Sequence, residues 1–177
     1  DDLLSLARLE GVKREFQPLD VATILQEGAA RARKLANREI VIDCQPGLWV
    51  KGDPDLLDQA LVNMVRNAVA HTTEGGRLAL SCVLRDDMVE LSVTDDGPGI
   101  PQAELARIFD RFYRARTPRQ SDTGGAGLGL AISKRLVDLH GGTMRAENVK
   151  PCGACFTILL PRIDAPADAP GGPGNAA

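Results

Sequence analysis

Hydrophobic positions along the chain recur with two periods, and the switches between them delimit the elements. In "DDLLSLARLEG", Leu3, Leu6 and Leu9 fall at helical spacing and the run stops at Gly11. That predicts the end of a helix and a linker over residues 1–13. "KREFQPLD" reads as extended, and Asp20 stands where it can cap a helix running to about Asn37. "EIVIDC" and "LWVKG" predict short strands. Asp53 followed by Pro54 predicts the capped start of a helix that carries "ALVNMVRNAVAHT", residues 60–72. After the turn "EGGR", the segments "LALSCVL" and "VELSVTD" predict an antiparallel pair joined at Asp86–Asp87. "QAELARIF", residues 102–109, predicts a short helix, and "GLGLAISKRLVDLH" a longer one stopped by Gly141–Gly142. "GTMRAENV" and "ACFTILLP" predict two closing strands. Helices beside strands of mixed direction imply an α/β two-layer sandwich.

Two stretches fall outside this pattern. Residues 115–126 hold no hydrophobic larger than alanine and read as a loop. After Arg162 only Ala, Pro, Gly, Asp, Asn and one Ile remain, which predicts a tail over 163–177 that buries no core. The predicted domain therefore spans 14–162.

Composition narrows the function classes. A chain of 177 residues with 44% hydrophobic and 25% charged residues is long enough for one well-buried domain. A formal charge of −3 gives no basic footprint for nucleic acid, so no nucleic-acid partner is expected. Aromatics make up 3%, so the core must be mostly Leu, Val, Ile and Ala. Four cysteines do not suggest a disulfide framework at this length. Cys152 and Cys155 form a CxxC without a second pair, and Cys155 reads as a small hydrophobe in a strand. No apolar run approaches the ~20 residues of a membrane span, and no signal peptide is recognisable; a cytoplasmic setting is the expectation.

Three motifs carry candidate chemistry. Asn63, Asn67 and His71 recur every fourth residue and so share one helical face. Carboxamides on a half-buried face need partners, and an amide oxygen can ligate Mg²⁺ alongside phosphate oxygens. A solvated stripe is the alternative. "DDGPGI" places Asp95 at a strand end before Gly97 and Gly99, where a missing Cβ permits close approach. A carboxylate there can accept a hydrogen bond from an exocyclic amine such as adenine's; a plain turn is the alternative. "GGAGLGLAI" puts Gly125, Gly127 and Gly129 where a loop becomes a helix. Unpaired N–H groups and the positive end of a helix dipole favour a phosphate there. No Lys follows these glycines, so the segment is not a P-loop.

In this order, "NMVRNAVAHT", "DDGPGI", "IFDRFYR" and "GGAGLGLAI" resemble the N, G1, F and G2 boxes of sensor histidine kinases. The resemblance covers roughly residues 14–162. It implies the Bergerat fold shared with gyrase B, the Hsp90 chaperone, MutL and anti-sigma-factor kinases, with a mixed five-stranded sheet and about three helices on one face. It implies ATP and Mg²⁺ as ligands. Asp95, with Gly97, Gly99 and Ile100, would receive the adenine, His71 would pack near the purine, and Asn67 would ligate Mg²⁺. Asn63 would hold a metal-bound water or a phosphate. The backbone of Gly127, Leu128, Gly129 and Leu130 would hold the phosphates. Residues 113–126 would form a lid, with Phe109, Phe112 and Tyr113 at its start, Gly125 at its end and Arg114 meeting phosphate charge. In hydrolysing relatives a Glu one helical turn before the metal-binding Asn activates water. Asn63 holds that place and cannot act as a base, which favours a kinase. His71 and His140 are the only histidines and neither has the context of a phospho-acceptor. The implied partners are therefore a dimerisation helix bundle bearing that histidine and a response regulator. The implied whole protein is a membrane-anchored homodimer.

Overall fold

The computed structural model describes residues 15–35, 37–113 and 127–169. The helix end expected over 1–13, Arg114, Gly125 and the tail from residue 170 lie outside them. Within them are β1 (Gln17–Asp20), α1 (Val21–Leu35), β2 (Glu39–Cys44), β3 (Trp49–Gly52), α2 (Pro54–His71), β4 (Arg77–Arg85), β5 (Met88–Asp95), α3 (Gly129–Leu139), β6 (Thr143–Asn148) and β7 (Ala154–Ile163).

Five strands form the mixed layer in the order β2-β4-β5-β7-β6, with β2 and β4 parallel and the other pairs antiparallel. The sheet nevertheless has seven strands and not five. The C-terminal end of β7 pairs with β3 through Trp49 opposite Ile163 and Val50 opposite Arg162, and β3 pairs with β1. β7 thus runs one residue past the expected boundary at 162. Alternate residues of the long strands face the helices: Leu78 and Leu80 on β4, Val89, Leu91 and Val93 on β5, Phe156, Ile158 and Leu160 on β7. The helices return matching stripes, including Leu25 and Ala29 of α1, Leu61, Met64 and Val65 of α2, and Ile132, Leu136 and Val137 of α3.

The helix ends follow from local chemistry. Asp20 accepts the Ala22 N–H at 3.1 Å, and α1 ends at Leu35, two residues before Asn37. Asp53 accepts the N–H groups of Asp55 and Leu56 at 3.0 and 3.2 Å, with Pro54 in the first helical position. Gly141 at φ +68° ends α3 as glycines do after a C-cap.

His140, at that C-cap, is buried and fully engaged. Its Nδ1 donates to the Leu136 carbonyl at 2.7 Å, because a carbonyl can only accept, and its Nε2 accepts the Asp53 N–H at 3.0 Å. Phe16 stacks on the ring with centroids 4.6 Å apart. One imidazole therefore ties the entering chain to the start of α2 and the end of α3.

Two expectations are corrected. Residues 102–109 make successive turns and no helix; their bonds are mostly i to i+3, from Glu104 to Pro101 and from Arg107 to Glu104. Ile108 points into the core and fixes the segment as a wall instead. Cys44 and Cys82 form a disulfide. The two lie 38 residues apart in sequence, but the parallel register of β2 and β4 sets them directly opposite, with Cα atoms 4.5 Å apart. Cys152 and Cys155 are free. Among the described residues, no helix is long and apolar enough to cross a membrane.

Candidate nucleotide site

An open cavity lies where α2, the end of β5 and the start of α3 meet. Asn67 and His71 reach it from α2, Asp95, Gly99 and Ile100 from the end of β5 and its following loop, and Leu130 from α3. Six residues singled out from three separate motifs thus share one cavity. Four more line it that the sequence did not reveal: Pro101, Ile108, Ala154 and Phe156. Alternation in "ACFTILLP" places Ala154 and Phe156 on one strand face, which was the available signal; its position beside Asp95 is a matter of register.

Asp95 is the chemical centre. It is 3% exposed. Its Oδ1 accepts the N–H of Gly97 at 2.9 Å and of Ala154 at 3.2 Å. Its Oδ2 is buried and has no hydrogen-bond partner among the described residues. Burial raises the Asp95 pKa above the usual carboxylate value, while the Gly97 and Ala154 N–H groups and nearby His71 pull it down and Asp96 adds a small upward push. A buried acceptor left open beside a cavity awaits a donor. Asp96 itself turns away: its Oδ2 caps the Arg77 N–H at 3.0 Å, and it does not line the cavity.

The two glycines of this loop are needed by the protein's own packing. A Cβ on Gly97 would sit 2.7 Å from the His71 carbonyl oxygen, and Gly99 at φ +79° faces Asn148 Oδ1 in the same way, at 2.8 Å. Close approach was expected from a ligand; the nearest neighbours are other parts of the chain.

On the opposite side, α3 begins at Gly129 with Leu128 in the capping position and no side-chain cap. Among the described residues no side chain caps its first N–H groups, which suits an anion. Gly127, at φ +71°, makes the turn into it. Asn63 is one turn earlier on α2 than Asn67, but its Nδ2 donates to the Gly129 carbonyl at 3.1 Å and it does not line the cavity. Asn63 therefore fastens α2 to the glycine corner through one of its two amide N–H groups. Ser133 reinforces the joint: its hydroxyl has one proton to donate and lies 3.0 Å from the Gly129 carbonyl and 3.3 Å from that of Ala60.

The aromatic segment divides. Phe109 and Tyr113 pack against the core, with the Arg107 guanidinium 4.7 Å from the Tyr113 ring centroid. Phe112 does not anchor by its side chain, which is 62% exposed; its backbone, at φ +63°, donates N–H to the Gly127 carbonyl at 3.0 Å. That single bond joins the two ends of residues 113–126. Lys134 is paired with Asp138 at 3.8 Å. Among the described residues, no cluster of His, Cys, Asp and Glu could hold a metal on its own.

Comparison with known proteins agrees with this geometry. A family described as "Histidine kinase-, DNA gyrase B-, and HSP90-like ATPase" matches residues 52–164. The chain is 38% identical over 167 residues to the sensor-like histidine kinase SenX3 of Mycobacterium tuberculosis, covering 92% of this chain and 41% of that protein. It is 37% identical over 174 residues to the signal transduction histidine-protein kinase/phosphatase MprB of Mycobacterium leprae, covering 95% of this chain and 33% of that protein. The chain thus spans about two fifths or less of these relatives. Among solved structures, a mycobacterial sensor histidine kinase MprB superposes with a TM-score of 0.77 at 33% identity, covering 84% of this chain and all of that one. Full-length ShkA in complex with AMPPNP superposes with a TM-score of 0.76 at 32% identity, covering 93% of this chain and 35% of that one. With its layered sheet, three helices and edge cavity, the chain belongs to the histidine kinase-, DNA gyrase B- and HSP90-like ATPase family, as an ATP-binding domain.

Proposed function

We propose that this chain is the ATP-binding, catalytic part of a two-component sensor histidine kinase. It binds Mg-ATP and passes the γ-phosphoryl group to a histidine on a dimerisation helix bundle outside this chain. That phosphoryl group would then move to an aspartate of a response regulator. The supporting observation is Asp95 Oδ2, a buried acceptor with no partner among the described residues, on a residue that lines the open cavity.

The residues fit the ligand. Asp95 Oδ2 accepts the exocyclic amine of adenine, and guanine, with a carbonyl there, would oppose it. Ile100, Ile108 and Leu130 give the base apolar contact, and His71 packs near it. The Gly127–Leu130 corner holds phosphate through backbone N–H groups. Asn67 ligates Mg²⁺ through its amide oxygen; the metal would neutralise charge on the phosphate oxygens. Arg114 adds positive charge from the lid sequence. The chain's contribution to transfer is positioning and exclusion of water; Asn63, where hydrolysing relatives carry a Glu, cannot act as a base. The whole protein is read as a membrane-anchored homodimer with this domain on the cytoplasmic side and no nucleic-acid partner.

Isothermal titration separates this reading from its rivals. Mg-ADP should bind measurably and Mg-GDP at least a hundredfold more weakly. Equal binding of both, or of neither, removes Asp95 from base recognition. An ATPase of the gyrase type is the second reading, and Asn63 opposes it: steady-state phosphate release by the isolated chain should stay near background.

A further inference from the structure

We infer that Asn148 is a positioning residue of the base pocket, setting how firmly the Gly99–Ile100 wall is held against the purine. The inference rests on the reading of the cavity as a nucleotide site. Asn148 is the last residue of β6, 48 positions from Ile100 in sequence, and it does not line the cavity. Its carboxamide nevertheless grips both backbone groups of Ile100. Oδ1 accepts the Ile100 N–H at 2.7 Å and Nδ2 donates to the Ile100 carbonyl at 2.7 Å. Only one orientation of the amide satisfies both partners, so the pair works as a two-point clamp.

The clamp answers a need of the loop. Residues 97–100 form no helix or strand, and so gain no rigidity from a ladder. Their other described anchor is the Gly97 N–H to Asp95. Without Asn148, Ile100 would keep its place against the base only through contact with neighbouring side chains. Gly99 fits the same picture: any side chain there would press on Asn148 Oδ1 and the Gly153 carbonyl. The second glycine of the loop is therefore required by the clamp. The same β6–β7 turn also delivers the Ala154 N–H to Asp95, so one hairpin supports both the wall and the acceptor.

When the competent arrangement is populated only part of the time, apparent affinity falls by that fraction. Two neutral hydrogen bonds of ordinary strength would, if lost, let the wall open most of the time and weaken base-dependent binding by roughly 10-fold. Phosphate binding at the Gly127 corner does not pass through this wall.

The test measures Mg-ADP and Mg-tripolyphosphate binding by calorimetry on the chain and on Asn148→Ala, with amide hydrogen exchange of Ile100 followed in parallel. Asn148→Ala should raise the Kd for Mg-ADP roughly 10-fold, leave Mg-tripolyphosphate unchanged, and speed exchange at Ile100 but not at Leu91 or Val93. Asn148→Asp is isosteric and sets a second acceptor against the Ile100 carbonyl; it should reproduce the loss and keeps the test alive should the alanine variant fold poorly. An unaltered Mg-ADP affinity in either folded variant overturns the inference. So does an equal loss for both ligands, the mark of a merely structural role. A parent chain that binds tripolyphosphate but no ADP would instead sink the purine reading itself.

Discussion

Replacing Asp95 by Asn tests the proposed base recognition most directly, because it changes one atom at the critical place. Asp95 Oδ1 is committed to the N–H groups of Gly97 and Ala154, and Oδ2 alone is open. An asparagine keeping the first oxygen puts an NH₂ where Oδ2 was. Adenine's amine then meets a donor. The loss is a hydrogen bond to a charged acceptor, about 1.5–3 kcal/mol, plus a buried donor left unsatisfied, about 1–3 kcal/mol. A total of about 3–4 kcal/mol corresponds to a Kd for Mg-ADP raised by roughly two to three orders of magnitude. Calorimetry at neutral pH measures it, with circular dichroism to verify the fold. The pH dependence adds a second signature. Burial raises the Asp95 pKa in the folded chain, so the carboxylate protonates earlier on acidification than an ordinary Asp. ADP affinity of the parent should fall as the pH drops through that raised value, while the Asp95→Asn variant stays flat. For stability the sign is opposite. Relative to the variant, the parent's advantage from Asp95 is full below the unfolded-state pKa and is lost as pH rises through the folded-state value. A Kd within tenfold of the parent, or parallel pH profiles, would refute the reasoning.

Other substitutions probe other parts. Asn67→Ala should remove the Mg²⁺-dependent share of ADP affinity while the melting temperature without nucleotide moves little, since Asn67 is only half-buried; unchanged Mg²⁺ dependence in titrations would exclude it as a ligand. His140→Ala removes two hydrogen bonds and the Phe16 stack, costing about 3 kcal/mol, or roughly 6–12 °C in Tm. A thermal melt within 2 °C of the parent would contradict that. Gly153→Ala places a Cβ onto the Asp95 carbonyl oxygen at φ +114°, so about 2–5 kcal/mol should be lost by denaturant titration, with ADP binding weakened as well.

The sequence revealed local features well and distant pairings poorly. The Asp53–Pro54 cap, the Gly141 stop and the carboxamide face of α2 depend on residues within a turn or two, and all were legible. Gly99 and Leu130, which line the cavity, belong to segments that were also legible, as a local strand-end and a helix-start signal. Register is a different kind of information. It sets Cys44 against Cys82, brings Ala154 to Asp95 and carries Asn148 to Ile100, none of which follows from residue type or spacing. At 102–109 helix-forming residues make successive turns instead, so local propensity did not decide the outcome there. At Phe112 an aromatic side chain suggested an anchor, yet the anchoring is done by its peptide N–H.

That hydrogen bond has an evolutionary corollary. Because the Phe112 N–H is bonded to the Gly127 carbonyl, the two positions that flank the 14 residues 113–126 are held together. Doubling such a stretch raises its closure entropy by only ~0.6 kcal/mol, less than a typical surface mutation can recover. Insertions and deletions between those two positions should therefore be tolerated by the scaffold, leaving the length of that stretch open to selection.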